Sequence, residues 1–400
     1  MCVMQEMWVA MTQKNKHRKI MVVTGSRADF GLLEPVMKAI QAEASLKLFC
    51  VAAGLHLVME TEREIKRASI PIDQIVEMQI KNQTGYAADV QACARGVSGF
   101  GKVIQEIQPH VLLVLGDRIE AFAAATAASL GGVRLAHAHG GDRAEGVADE
   151  AMRHAISKMA NLHFPATRQS AKRLEKMGEN KKNIFCVGSP AIDGLSRIAK
   201  MDDNALAAIG INPKQPFVVV LQHGAGGADD AEYQKMKDTL GALENFKIEN
   251  QAAQVVVMGG NKDVGWQGVW RAVDEYQREK KVIALAHLNR NHYIGLLKRA
   301  RALVGNSSGG LIEAAAIGKA GMAVVNIGPR QNGREKPMHV IDADHQPQAI
   351  RNALTLSLEK TAMRQRNAHG YGEGDAGKKI ARVLRKIDLQ ALGLHKCNAY

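Results

Sequence analysis

The chain reads as an α/β protein built of two doubly wound units, each a mostly parallel sheet covered by helices. Three observations predict this. Short apolar runs recur along the whole length, helix-like stretches separate them, and the alternation pauses once near the middle. At roughly 150 residues per domain, 400 residues leave room for two such units.

The strand-like runs of the first half span 20–25, 46–51, 111–116 and 183–188. Those of the second half span 217–221, 254–259, 281–285, 302–305 and 322–327. Several are apolar on both faces, the pattern of a strand covered by helices on both sides. Helix-like stretches span 32–42, 121–129, 150–159 and 311–317. The pause falls at 200–216, where Pro213 and Pro216 precede a new strand. This predicts a flexible leader over 1–18, a first domain over 19–200, a second over 201–370 and a terminal helical segment over 371–400.

Composition narrows the function classes. With 46% hydrophobic and 23% charged residues the chain has the make-up of a folded globular protein rather than a disordered one. No apolar run approaches the ~20 residues of a membrane span. The basic cluster over 14–19 follows the apolar N-terminal residues, the reverse of a secretory signal, so the expected location is the cytoplasm. Five widely spaced cysteines without a C-x-x-C pair fit reduced thiols and not a zinc ribbon. Cys50 and Cys186, both in apolar runs, are expected to be small buried core residues. The surplus of 53 Lys and Arg over 40 Asp and Glu, a net +13, calls for an anionic partner. Aromatics are only 4% and no zinc finger is present, so a small anionic molecule is expected and nucleic acid is not.

In doubly wound sheets ligands bind beyond the carboxyl ends of the strands, and the residues there are strongly polar. Gly305-Asn-Ser-Ser-Gly-Gly310 follows a strand and opens a helix. It reads either as an anion cradle, with Ser307 and Ser308 adding hydroxyls, or as a plain N-cap turn. Gly25-Ser-Arg-Ala-Asp-Phe-Gly31 is a second such turn. Its Arg27 suits a diphosphate, and Asp29 either takes part or caps the helix. Asp117 ends the most apolar strand and is either an acid–base group or the partner of Arg118 or Arg134.

The stretch from His137 to His154 is the densest titratable cluster, holding His139, Asp142, Glu145, Asp149, Glu150 and Arg153. Acid–base catalysis, a solvated loop and a metal site all fit such a cluster, although no H-E-x-x-H spacing occurs. His223, after the first strand of the second half, is either structural or a site residue.

In this order the turns resemble the hydrolysing UDP-N-acetylglucosamine 2-epimerase family and its relatives that act on diacetylbacillosamine nucleotides. The residues that carry the likeness are Gly25 to Gly31, Gly116-Asp-Arg118, His139-Gly-Gly141, the stretch 149–159, Gly305-Asn-Ser-Ser308, the stretch 328–335 and Tyr371 to Ala376. The resemblance runs from about residue 19 to 388. It implies a GT-B architecture of two Rossmann-like domains facing a cleft, with the last helix returning to the first domain.

The resemblance also implies a reaction without NAD or metal. UDP leaves by elimination to a 2-acetamidoglucal, and water adds to give N-acetylmannosamine. A UDP-sugar substrate and a homodimer or homotetramer come with it. By the same resemblance, Asp117, His139, Asp142, Asp149 and His223 are the catalytic set. Arg27, His56, Arg118, Ser307, Ser308, Glu313 and Arg330 bind the substrate, with Glu313 on the uridine ribose. His139 stands where several relatives carry Glu, and the glycine-rich stretch 224–227 is a second departure. Both bear on which sugar is used.

Overall fold

The computed structural model describes residues 17–83, 85–143, 150–260, 264–286, 288–317, 322–337, 340–362, 370–394, 396 and 399. The chain divides into two compact units. The first holds the described residues up to Asp142, then 150–193, then those from Gly372 onward. The second holds Gly194–Tyr371 together with Arg143. The first break therefore precedes the proline-containing stretch 200–216. Residues 194–199 are tied into the second unit, where Lys298 Nζ donates to Leu195 O at 2.6 Å.

The first unit carries six strands: β1 (Arg18–Thr24), β2 (Leu46–Ala53), β3 (Gln74–Val76), β4 (Val111–Leu115), β5 (Arg134–Ala138) and β6 (Leu162–Phe164). All pair in parallel, in the order β3-β2-β1-β4-β5-β6. Five helices matter here: α1 (Arg27–Gln41), α2 (Tyr86–Ile107), α3 (Ile119–Leu130), α4 (Glu150–Met159) and α5 (Arg168–Lys176). Every side chain of β4 is buried, since one apolar cluster covers each face of the sheet. Each such Leu or Val contributes about 1.5–3 kcal/mol through burial.

The second unit repeats the plan with β7 (Phe217–Leu221), β8 (Gln254–Met258), β9 (Ile283–Leu285), β10 (Ala302–Gly305), β11 (Ala323–Ile327) and β12 (Val340–Ala343). Its order is β9-β8-β7-β10-β11-β12, again all parallel. In both sheets the strand order reverses beside the central strand, between β1 and β4 and between β7 and β10. These are the switch points at which open α/β sheets form ligand crevices.

The last long helix, Ala376–Lys386, packs against α1 in the first unit and shares its core through Ile380, Ala381 and Leu384. Its start is capped by Asp193, whose two carboxylate oxygens accept from Ala376 N at 2.9 Å and Gly377 N at 2.7 Å. Gly377 lets the backbones meet, because a Cβ there would lie 2.6 Å from the Pro35 carbonyl oxygen.

Several expectations need correction. The run 183–188 is not a sheet strand. The place beside β5 is taken by β6, and Ile184 makes only an isolated bridge to His163. Cys186, on that run, is exposed and not buried, while Cys50 is buried as expected and burial pushes its thiol up to about 12. The helix expected over 311–317 instead starts at Ser308, ends at Leu311 and is followed by a 3-10 turn over Ala314–Ala316. Strand β1 begins at Arg18, inside the expected leader.

Candidate active site

In the first unit the turns after β1, β2, β4 and β5 bring most of the expected residues together. Ser26 caps α1 by accepting from Asp29 N at 3.3 Å, so the cap is Ser26 and not Asp29. The Asp29 carboxyl is pushed up to about 6, chiefly by burial. Arg118 opposes the shift and Glu120 adds to it. Arg118 Nε lies 3.4 Å from Glu120 Oε2 and 4.0 Å from Asp29 Oδ2.

Glu120 is buried and also accepts from Gln79 Nε2 at 2.7 Å. Gly25 and Gly54 make room for it, since a Cβ on either would come within 2.6 Å of its side chain. His56 is fully buried between Thr24 Oγ1 and Thr61 Oγ1, each at 2.9 Å, and burial lowers its pKa to about 4. It is a neutral structural neighbour of the β1 turn. Arg27 stands exposed on the first turn of α1.

Asp117 follows Gly116, whose φ of +76° favours glycine. Its carboxylate pairs with Arg153 on α4, and not with Arg118 or Arg134. His139 holds a left-handed φ of +60°, a strained state for a side-chain-bearing residue and one that concentrates at functional sites. Its ring is fixed from both sides. Nδ1 lies 2.9 Å from Asp142 Oδ2, and Nε2 lies 3.0 Å from Ser189 Oγ. Ser170 Oγ donates to the other Asp142 oxygen at 2.7 Å and itself accepts from Thr167 Oγ1 at 2.9 Å. A carboxylate only accepts, so Nδ1 carries a proton toward Asp142, while Nε2 faces the Ser189 hydroxyl. Asp149 and Glu145 lie outside the described residues. No metal-holding group of His, Cys, Asp and Glu occurs among the described residues.

In the second unit Asn306 locks three turns into one surface. Its Oδ1 accepts from His223 N at 2.7 Å, and its Nδ2 donates to His223 O at 2.9 Å. Its own carbonyl accepts from Gln331 Nε2 at 2.9 Å and from Arg330 Nη1 at 3.4 Å. The turns after β7, β10 and β11, which carry His223, Ser307, Ser308 and Arg330, are therefore joined through Asn306. Ser307 caps the short helix from Ser308 by accepting from Gly309 N at 3.3 Å. Gly305, with φ of +144°, passes so close to Leu221 that a Cβ would meet its carbonyl oxygen at 2.1 Å. Glu313 lies just beyond the helix, and a Cβ at Gly309 would sit 3.1 Å from Tyr293 Oη and 3.5 Å from Glu313 Oε2.

Sequence reasoning missed Glu120, Ser170, Ser189 and Tyr293 as members of these surfaces, and it took in Asn306 only as part of the Gly305–Gly310 turn. Glu120 carried a readable signal, a carboxylate opening an otherwise Ala-rich, apolar helix. The two serines had none, because their roles come from distant segments.

The family model for UDP-N-acetylglucosamine 2-epimerase matches residues 38–385. A UDP-N,N'-diacetylbacillosamine 2-epimerase (hydrolyzing) from Legionella pneumophila is 33% identical over 387 residues, covering 96% of this chain and 100% of the relative. A UDP-N-acetylglucosamine 2-epimerase from Neisseria meningitidis is 27% identical, covering 84% of this chain and 86% of its own. The crystal structure of a UDP-GlcNAc 2-epimerase from Neisseria meningitidis, bound to UDP-GlcNAc, superposes with a TM-score of 0.78 at 18% identity. It covers 92% of this chain and 100% of that one. The two parallel sheets are thus those of the GT-B fold, and the chain belongs to the UDP-N-acetylglucosamine 2-epimerase family.

Proposed function

We propose that the protein is a hydrolysing nucleotide-sugar 2-epimerase that converts UDP-N-acetylglucosamine and water into UDP and N-acetylmannosamine. The observation that carries this reading is the pair of carboxylates at the ends of β4 and β5, Asp117 held by Arg153 and Asp142 held by His139. The chemistry requires such groups. As the C1–O bond to UDP lengthens, C1 gains oxocarbenium character and the proton on C2 becomes removable. A base takes that proton, the C1–O electron pair leaves with UDP, and a C1=C2 double bond forms. Water then adds at C1 while an acid returns a proton to C2 from the opposite face.

Asp117 and Asp142 are assigned to these proton transfers, with Asp149 as a further candidate. His139 orients Asp142. Arg27 and Arg118 belong to the same surface of the first unit, with Arg27 toward the phosphates, and the buried His56 supports the β1 turn behind them. In the second unit His223, Ser307, Ser308 and Arg330 offer donors to the departing diphosphate, and Glu313 accepts from the ribose hydroxyls. The reading carries with it a cytoplasmic homodimer or homotetramer, which sedimentation checks. No helix among the described residues is long and apolar enough to cross a membrane.

A second reading keeps the reaction and changes the sugar to N,N'-diacetylbacillosamine on UDP or GDP. The Legionella relative, alike over 96% of this chain and the whole of its own, favours it. A panel of these nucleotide sugars in heavy water separates the readings. The expected result is UDP release with deuterium at C2 of the freed 2-acetamidomannose sugar. Release of a sugar without deuterium at C2 points to plain glycosyl transfer, and no release from any of them overturns both readings.

A further inference from the structure

The structure assigns His137, through its bond to the Gly116 carbonyl, as a positioning residue for Asp117. The inference rests on the epimerase reading for what Asp117 does. The brace itself is a matter of geometry.

His137 ends β5 one residue before the last and is fully buried, so it cannot touch a substrate. Its Nε2 lies 2.7 Å from Gly116 O and its Nδ1 3.0 Å from Ser157 Oγ. A carbonyl oxygen only accepts, so Nε2 carries the proton. Nδ1 of the neutral ring is then an acceptor, met by the Ser157 hydroxyl. Burial lowers the ring's pKa to about 3, which keeps this donor–acceptor arrangement at neutral pH.

The peptide it grips is the one that joins Gly116 to Asp117. Gly116 turns through a left-handed φ of +76°, and its N–H donates to Ala138 O at 3.0 Å. Among the described residues, the imidazole is the one donor found to the carbonyl of that peptide. Gly140 closes over the arrangement, since a Cβ there would lie 2.8 Å from His137 Nδ1 and 3.0 Å from Ser157 Oγ.

Helix α4 completes the device. Arg153 and Ser157 are four residues apart and so share one face. Arg153 holds the Asp117 carboxylate directly, while Ser157 holds His137, which holds the peptide before Asp117. One helix thus sets both the side chain and the backbone of the carboxylate. Positioning of this kind acts on turnover, since a displacement of about 1 Å at a reacting group costs on the order of 100-fold in rate.

The test compares His137→Leu, which removes both bonds, with His137→Gln, whose amide N–H can still donate to Gly116 O. Expected for His137→Leu is a kcat lower by about 100-fold, with KM for the nucleotide sugar and UDP affinity by calorimetry unchanged. His137→Gln should recover at least about tenfold of that loss. A wild-type kcat in His137→Leu, or a loss that falls on KM and UDP affinity instead, overturns the assignment. If His137→Leu does not fold, Ser157→Ala carries the test, because it leaves the ring in place but frees it to turn. The same kcat-only loss is then expected, and an unchanged kcat overturns the assignment. Nitrogen-15 NMR of the histidine rings reads the brace without any turnover. A buried ring protonated on Nε2 is expected for the His137 signal, identified by its loss in His137→Gln, and a ring protonated on Nδ1 refutes the brace. A wild-type protein inactive on every nucleotide sugar but showing the Nε2–H ring would instead fault the functional reading alone.

Discussion

His139 Nδ1 lies 2.9 Å from Asp142 Oδ2, and both residues are nearly inaccessible to solvent. Because Ser170 donates to the other oxygen and Ser189 faces the far side of the ring, the pair is held from two other segments at once. Preorganised groups of this kind need little rearrangement during reaction, which is where electrostatic catalysis gains most.

Removing the charge from either carboxylate should therefore act on turnover. Asp142→Asn and Asp117→Asn are each expected to lower kcat by roughly 100- to 10,000-fold while leaving UDP affinity intact. Steady-state kinetics beside calorimetric titration with UDP checks this. A wild-type kcat in either variant removes that residue from the proton transfers.

Arg330 is held against the Asn306 carbonyl at 3.4 Å and extends from the turn after β11. A guanidinium on a diphosphate contributes charge-assisted hydrogen bonds, so Arg330→Ala should weaken UDP binding by about 10- to 100-fold. Arg330→Lys should recover only part, because an ammonium lacks the planar fork. Equal UDP affinity in Arg330→Ala and wild type would show that this side chain does not meet the nucleotide.

The terminal helix gives a test that is purely structural. Asp193 is its N-terminal cap, although Asp193 stands 183 and 184 residues away from the two amides it receives. Asp193→Ala should cost about 1–2 kcal/mol in urea unfolding. Asp193→Asn should cost less, since one amide oxygen still accepts. No change in either would mean that solvent replaces the cap without loss.

Much of this organisation is legible in the sequence, for identifiable reasons. Strands β1, β4, β7, β8, β10 and β11 are central, and strands buried on both faces must be apolar at nearly every position. The edge strands β3 and β12 are short and half polar, so they carry no such run. Asp117, His139 and Asp142 could be singled out because polar residues crowd the ends of apolar strands. Their partners could not. Arg153 reaches Asp117 across 36 residues and Ser189 reaches His139 across 50, and no local pattern encodes a contact of that separation. The run 183–188 misled because it lies beside β6 without a ladder, an arrangement its composition does not reveal.

The buried titratable groups make stability depend on pH, with signs that can be worked out one by one. His56, at about 4, and His137, at about 3, sit below the ordinary histidine value of 6.5. As pH falls below 6.5 the unfolded chain takes up protons that the folded state refuses, so both groups withdraw stability on acidification. Burial alone would raise Glu179, but His163, Lys396 and Lys158 donate to it and hold it at about 2 against an ordinary 4.5. Its contribution is lost as pH falls from 4.5 toward 2. Asp29 has the opposite sign. At about 6 against an ordinary 3.8, it keeps a proton in the folded state that the unfolded chain has lost, so its contribution declines as pH rises between those values. His110, His163 and His345 are lowered by burial in the same sense, and Asp73 and Asp89 are raised like Asp29. Histidines therefore outnumber carboxyls, and the unfolding free energy should rise with pH between 4 and 6.5. Each uncompensated proton contributes about 1.4 kcal/mol per pH unit to the slope. Asp29→Asn removes the opposing group and should steepen the rise, while His56→Gln should flatten it. Urea unfolding of the three proteins at several pH values measures all of this, and a wild-type stability that grows on acidification from pH 6.5 would refute the neutral, buried state assigned to the two histidines.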